Sequence, residues 1–397
     1  MSFANNPYMI TRLLSNLLFK VFLAIVFGIL FGLYLPESIN RIFTTFNAFF
    51  GQFLNFAIPL IIMGLIMPAI ADLGKGAGKL LIITAAIAYG STIFSGFMTY
   101  FVTSGIFPQL LDSHIDDTFQ IGSATPELLP YFSISIPAAF DVMTALVFAF
   151  VIGLGLSFQE NSTLKLVVSD FQKIIMQLIE NVIVPLLPLF ILGIFASMAY
   201  SGKVFSILSV FISIIGVIFA LHILLLLLQY TVAGIVTKKN PFKLLVTMMP
   251  AYFTALGTQS SAATIPVTLE QTLKNGVSEK IAGFVIPLCA TIHLSGSTMK
   301  ITACAIALMI LHGMPFDFTL FAGFIFMLGI AMVAAPGVPG GAIMAAVGIL
   351  QSMLGFNDEM IGLMIALYIA MDSFGTACNV TGDGAIALVV GRVTKEK

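Results

Sequence analysis

Charge is what this sequence has least of. Only 9% of its 397 residues are Asp, Glu, Lys or Arg, against about 25% in an average soluble protein. So few charges cannot clothe a water-facing surface. A soluble fold is excluded, and the chain, 59% hydrophobic, reads as a polytopic membrane protein. Arginine is scarce too, occurring as Arg12, Arg41 and Arg392, and the net charge is −1. No basic face is available for nucleic acid. The three cysteines, Cys289, Cys304 and Cys378, all lie in apolar sequence. They have neither the setting of a disulfide framework nor the spacing of a metal site. No activated nucleophile or general-base pair is visible, which argues against an enzyme. The apolar run 17–35 is long, lacks a cleavage box and is followed by more of its kind. It reads as a span and not as a removable signal.

What is present is a series of long apolar runs. A helix needs about 20 apolar residues to cross a bilayer. Runs of that length cover 17–35, 46–71, 80–106, 130–157, 175–200, 204–236, 281–312 and 358–391. Two more segments, 244–272 and 318–352, are interrupted at their middles by "GTQSSAAT" and "AAPGVPGG". Glycine, proline and polar residues at mid-membrane free backbone groups that lipid cannot satisfy. Both segments therefore read as re-entrant hairpins, with two kinked spanning helices as the alternative. Basic residues collect on the cytoplasmic side. Arg12, Lys20, Lys75, Lys79, Lys238, Lys239, Lys243, Lys274, Lys280, Arg392, Lys395 and Lys397 all fall inside, and the acidic "LDSHIDDTF" (111–119) falls outside, if both segments are re-entrant. Both termini are then cytoplasmic. The predicted architecture is all-α, with eight transmembrane helices and two opposed hairpins, 244–272 and 318–352. Each hairpin is followed by a span with a polar interruption, which makes 244–312 and 318–391 an inverted repeat. Secondary transporters build midplane sites at such interfaces.

Four polar clusters sit in the last third: "GTQSSAATIPVT" (257–268), "ATIHLSGSTMK" (290–300), "AAPGVPGGAIM" (334–344) and "DSFGTACNVTGD" (372–383). In the last, Asp372, Thr376, Asn379 and Asp383 are spaced four, three and four, which places them on one helical face. A carboxylate at the centre of a spanning helix costs about 2.5–3.5 kcal/mol on insertion scales, so an intramembrane Asp is a functional candidate by default. Small-residue runs such as "GTQSSAAT" fit either helix packing or ligand binding. His293 fits an interior hydrogen-bonded histidine or a proton carrier.

In this order and at these separations, the four clusters resemble the dicarboxylate/amino acid:cation symporter family, the glutamate transporter family. "SSAATIPVT" is similar to its first-hairpin serine motif and "ATIHLSGST" to its "ATINMDGT" segment. "PGVPGGAIM" is similar to its second-hairpin tip and "DSFGTACNVTGD" to its substrate motif. The resemblance implies an elevator-type homotrimer. Residues 1–72 and 130–200 would form the scaffold and trimer contacts. Residues 80–106 and 204–391 would form the moving transport domain, gated by the second hairpin. It also implies a substrate site in which Asp372 binds an α-ammonium and Asn379 an α-carboxylate. Thr376, Ser260, Ser261, Ser297, Gly337, Val338 and Gly375 would complete that site. A sodium ion would be held by Asp383 with Cys289, Thr291, His293 and Asn379, several of them through backbone carbonyls.

The departures from the family pattern are specific. Gly375 stands where acidic-substrate members have Arg. His293 and Ser295 stand where the motif has Asn and Asp. Met332 and Ala335 replace a Ser and a Thr of a further sodium site. The expected function is uptake of a small amino acid, a neutral one favoured by a pocket that Gly375 leaves larger and without a guanidinium. The coupling cation is expected to be sodium, with a proton as the other possibility. An acidic amino acid or dicarboxylate is the alternative substrate. A channel or sensor on the same fold is a competing class, against which the two carboxylates argue because a channel needs weak sites. Lys300, inside an apolar stretch, admits three readings: a side chain that faces the pocket and replaces the missing Arg, a stand-in for a lost sodium ion, or one that snorkels or pairs with a carboxylate elsewhere in the transport domain.

Overall fold

A computed structural model describes residues 17–72, 79–112, 128–159, 162–202, 204–337 and 339–394, without the side chains of residues 72, 112, 143 and 206. Arg12, Lys75, most of the acidic loop 111–119, Val338, Lys395 and Lys397 lie outside the described residues. Among the described residues every regular element is a helix.

The first half comprises α1 (Leu17–Tyr34), α2 (Glu37–Asp72), α3 (Lys79–Asp112), α4 (Val142–Ser157), α5 (Thr163–Leu178), α6 (Val184–Tyr200) and α7 (Val204–Thr237). A π-helical turn, Ile179–Ile183, joins α5 to α6 in one rod. Pro185 and Pro188 follow that turn directly. They have no backbone N–H for an i−4 carbonyl, and the widened turn accommodates the interruption. Among the described residues, seven helical stretches are long and apolar enough to cross a membrane. The eighth predicted span, 130–157, is corrected: its helix begins only at Val142 and has 16 residues. Pro130 and Pro137 keep the preceding segment non-helical, and Asp141 Oδ2 accepts the Thr144 N–H at 3.3 Å to start α4.

The second half alternates short helices and breaks. It comprises α8 (Pro241–Thr247), α9 (Met249–Thr258), α10 (Ser261–Lys274), α11 (Glu279–Ile292) and α12 (Ser295–Leu311), then α13 (Phe318–Ala334), α14 (Gly341–Leu354), α15 (Asp358–Ala370) and α16 (Asp372–Val393). The runs 281–312 and 358–391, read from sequence as single interrupted spans, are each two helices, broken at His293–Leu294 and at Met371. The arms α9 and α10 pack on each other across a two-residue link. Gln259 closes α9 in the left-handed region (φ 54°), and the Ser260 hydroxyl caps α10 by accepting the Ala263 N–H. The far ends of this pair also meet: Asn275 Nδ2 donates to the Leu244 carbonyl at 3.0 Å, and Lys239 Nζ to the Asn275 carbonyl at 2.7 Å. The arms α13 and α14 pack similarly. Their outer ends are close enough that a Cβ on Gly355 would lie 3.7 Å from Met314 Cε.

Packing divides the helices. α2 lies against α4 and α6, and α1 against α6. α16 lies against α7, α9, α10 and α11, and α3 against α12. Most of α16 is buried, including Asp372, Thr376, Asn379 and Asp383 of its polar stripe.

Candidate functional site

The break at Met371 sets the first carboxylate. It starts α16 at Asp372, whose side chain sits at the positive end of the helix. Asp372 Oδ1 lies 3.1 Å from Lys300 Nζ, and Oδ2 accepts the Gly340 N–H at 2.9 Å. Lys300 comes from α12 and is fully buried. Its ammonium also lies 3.6 Å from the centre of the Tyr368 ring and 3.4 Å from the Met371 carbonyl. A cation over an aromatic face gains further attraction when desolvated. Removing one partner of such a buried pair costs about 3–5 kcal/mol, because the other is left uncompensated.

Gly375 makes this pair possible. A Cβ there would sit 2.5 Å from Lys300 Nζ. The expectation that Gly375 leaves an enlarged, uncharged pocket is thus corrected: the space beside Asp372 is filled by the Lys300 side chain. Lys300 thus pairs with Asp372, a carboxylate of the cavity itself, beside Gly375 where acidic-substrate members have Arg, and not with a carboxylate elsewhere in the transport domain.

Between the hairpin tips and α16 lies a cavity of about 20 Å³, lined by Gln259, Ser261, Leu294, Ser297, Pro336, Gly337, Ala342, Tyr368, Asp372, Thr376 and Asn379. That volume suits roughly one water. Five of the sequence-predicted residues with side chains meet there: Ser261, Ser297, Asp372, Thr376 and Asn379. Gly337 adds backbone. Lys300 and Gly375 are not among the lining residues and back the cavity from behind Asp372. Ser260 also stays outside it; its hydroxyl donates to the Gly337 carbonyl at 3.1 Å and ties the two tips together. Asn379 is held at both ends, accepting the Gly296 N–H at 2.7 Å and donating to Ser297 Oγ at 3.1 Å. Ser297 Oγ in turn shares a 3.0 Å hydrogen bond with the Tyr368 hydroxyl.

The second carboxylate lies three turns further along α16. Asp383 Oδ1 is 2.8 Å from His293 Nδ1, and the two side chains are 1% and 0% exposed. His293 Nε2 is 3.1 Å from Ser91 Oγ on α3. Gln229 Nε2, from α7, donates to Ser91 Oγ at 3.0 Å and to Ser295 Oγ at 3.2 Å. Cys289 is buried nearby, and its carbonyl accepts the His293 backbone N–H. The Thr291 hydroxyl points elsewhere, bonding the Leu288 carbonyl and lining a separate cavity of about 360 Å³ with Leu65, Met176 and Val333.

Four residues of these two centres were absent from the sequence reading: Gln229, Ser91, Gln259 and Tyr368. Gln229 carried a signal, a lone amide in "LLLLLQYTV", since a polar side chain in a spanning helix faces the bundle interior. Gln259 sits within a quoted motif. Ser91 and Tyr368 carry no signal, because their neighbours come from distant sequence.

Broken helices that meet tip to tip around a polar cavity, inside an apolar bundle, define a class: the polytopic secondary transporters. Comparison with known proteins specifies the class. Residues 17–393 match the model of the sodium:dicarboxylate symporter family. The chain belongs to this family. It is 25% identical to the serine/threonine transporter SstT of Acinetobacter baylyi, over 96% of this chain and 98% of that protein. It is 32% identical to human excitatory amino acid transporter 2 over 41% of this chain, and 33% identical to mouse excitatory amino acid transporter 3 over 41%. Those matches span 28% and 31% of the two excitatory transporters. A multi-pass membrane location follows from family and helices together.

Proposed function

We propose that the protein is a secondary active symporter of the cytoplasmic membrane that takes up a small neutral amino acid down a cation gradient. The observation that carries this reading is the lining of the cavity. Among its described residues Asp372 is the one charged side chain, surrounded by hydroxyls and amides. A carboxylate suits an α-ammonium. The Asn379 amide and the hairpin-tip backbone near Ser261 suit an α-carboxylate. A second substrate carboxylate would enter without a basic partner on the cavity wall, which is severely unfavourable. The full-length likeness to a serine/threonine transporter supports the same class of substrate.

The cavity is too small for an amino acid, so loading requires the tips joined by Ser260 and Gly337 to part. The adjacent ends of α9–α10, and of α13–α14, support re-entrant hairpins. With both re-entrant, and α4 taken as a short eighth span, both termini are cytoplasmic. The packing of α1, α2, α4 and α6 on one another supports a scaffold (1–72 and 130–200), against which α13, α14 and α15 also lie, and around which 80–106 and 204–391 move as an elevator, in a homotrimer.

A second reading rests on Lys300. It lies behind two residues of the cavity wall, 3.1 Å from Asp372 and over the Tyr368 ring. If a substrate ammonium took Asp372, Lys300 would be released to pair with an extra carboxylate, and the substrate would be an acidic amino acid. Uptake of radiolabelled serine, alanine, aspartate and succinate into proteoliposomes, under imposed sodium and pH gradients, separates the readings. Serine or alanine uptake without aspartate uptake is expected. Aspartate uptake that vanishes in Lys300→Met would favour the second reading.

A further inference from the structure

The family's description names sodium, and the resemblance places such an ion on Asp383. The residues around Asp383 do not fit it. A sodium ion is a hard cation that needs several oxygen ligands, as calcium and magnesium do. Around Asp383 several of the oxygens already carry a hydrogen bond. Oδ1 faces His293 Nδ1 at 2.8 Å. An ionised carboxylate only accepts hydrogen bonds, so the ring nitrogen facing it is an N–H whichever charge the ring carries. A cation brought to Oδ1 would meet that N–H head on. The Cys289 carbonyl takes the His293 backbone N–H, and Asn379 Oδ1 takes the Gly296 N–H. Met332 and Ala335, both buried, put no side-chain oxygen at the second hairpin.

The ring is also built in from behind. Its far nitrogen meets Ser91, which Gln229 fixes in turn. Gly382 makes room for the assembly, because a Cβ there would lie 2.9 Å from His293 Cε1 and 2.8 Å from Gln229 Oε1. Among the described residues, Gln229 Oε1 and Thr381 Oγ1, the latter two residues before Asp383, are buried without a partner. An amide oxygen and a hydroxyl are fewer ligands than a hard cation takes. Asp383 and Ser91 thus hold an imidazole from its two nitrogens, with Gln229 fixing Ser91, where the family pattern has an ion.

We propose that His293 is a built-in partner for Asp383 in the place the family gives to a sodium ion, so that substrate binding by this carrier does not require sodium. The substrate arm of the test rests on the amino-acid reading above; the sodium arm does not. Purified protein is unfolded thermally in choline chloride and across about 1 to about 100 mM sodium chloride, where a specific ligand of the native state would raise the midpoint by mass action. Binding of radioactive sodium is measured in parallel. Serine affinity is then compared with and without sodium. The expected result is no sodium-specific rise in midpoint, no saturable sodium binding and an unchanged serine affinity. A sodium-dependent midpoint or saturable binding in the wild type, lost in Asp383→Asn, would overturn the proposal even if serine does not bind. Serine affinity that rises about tenfold with sodium would overturn it as well, since linked sites strengthen each other by the same factor. His293→Asn, which frees Asp383 and supplies an amide oxygen, is expected to gain a sodium-dependent midpoint. If that variant does not fold, the wild-type arms still decide.

Discussion

Asp372 and Asp383 lie eleven residues apart on one helix, both buried and both paired with a basic side chain of the chain itself, yet their settings differ. Asp372 borders the cavity, and its second oxygen holds the tip of a hairpin through the Gly340 N–H. Asp383 borders no cavity that the other lines and is closed in by α3, α7 and the α11–α12 break. A charge at the edge of a space can exchange partners; a charge sealed behind protein keeps the one it has. On this account the first is the exchanging group and the second the fixed one.

The largest expected effect follows from removing the exchanging charge. Asp372→Asn should abolish amino-acid uptake and lower substrate affinity at least tenfold, given about 1.5–3 kcal/mol for a charged hydrogen bond. It also strands Lys300, so a loss of about 3–5 kcal/mol in stability should appear in the same protein. Asp383→Asn should lower stability while changing substrate affinity less. Equal losses of affinity in the two variants, measured by calorimetric titration, would erase the distinction between the carboxylates.

Lys300→Met comes next. It should lower stability by about 3–5 kcal/mol by leaving Asp372 short of a partner. Serine should recover more of that stability in the variant than in the wild type, because its ammonium fills the gap. A variant stabilised no further by serine would place the ammonium elsewhere.

Smaller effects should come from the glycines that make room for the two pairs. Gly375→Ala forces a methyl against Lys300 and should cost about 1–3 kcal/mol of stability, as overpacking does. Gly382→Ala should do the same at His293. Denaturant midpoints compare them; a neutral Gly375→Ala would mean that Lys300 does not lie where it is described. The smallest effect is positional. Cysteines at 243 and 274 should be labelled from the same side of the membrane, and labelling from opposite sides would turn α9–α10 into a spanning segment.

Much of this was legible in the sequence, for reasons that can be named. Apolar runs and their breakers mark most spans, since lipid tolerates so few alternatives. The four–three–four spacing already put Asp372, Thr376, Asn379 and Asp383 on one face. The segment 130–157 misled because its composition is mostly apolar, while two prolines decide where the helix can begin. Partners were the least legible part. Lys300 and Asp372 are 72 residues apart in sequence, and His293 and Asp383 are 90. Each charge announced that it needed a partner, but only the fold says which one it has. Gly375 was the sharpest case: an absent side chain read as empty space, when it was the space that another side chain needed.

If the cavity carboxylate receives an ammonium, titrating the purified protein with serine and with glycerate, which differs by a hydroxyl in place of the ammonium, separates the two ligands. Serine is expected to bind and glycerate not, and Asp372→Asn to lose serine binding. Glycerate binding as tightly as serine would contradict that expectation, and would mean that Lys300 keeps Asp372 throughout and the substrate brings only its carboxylate.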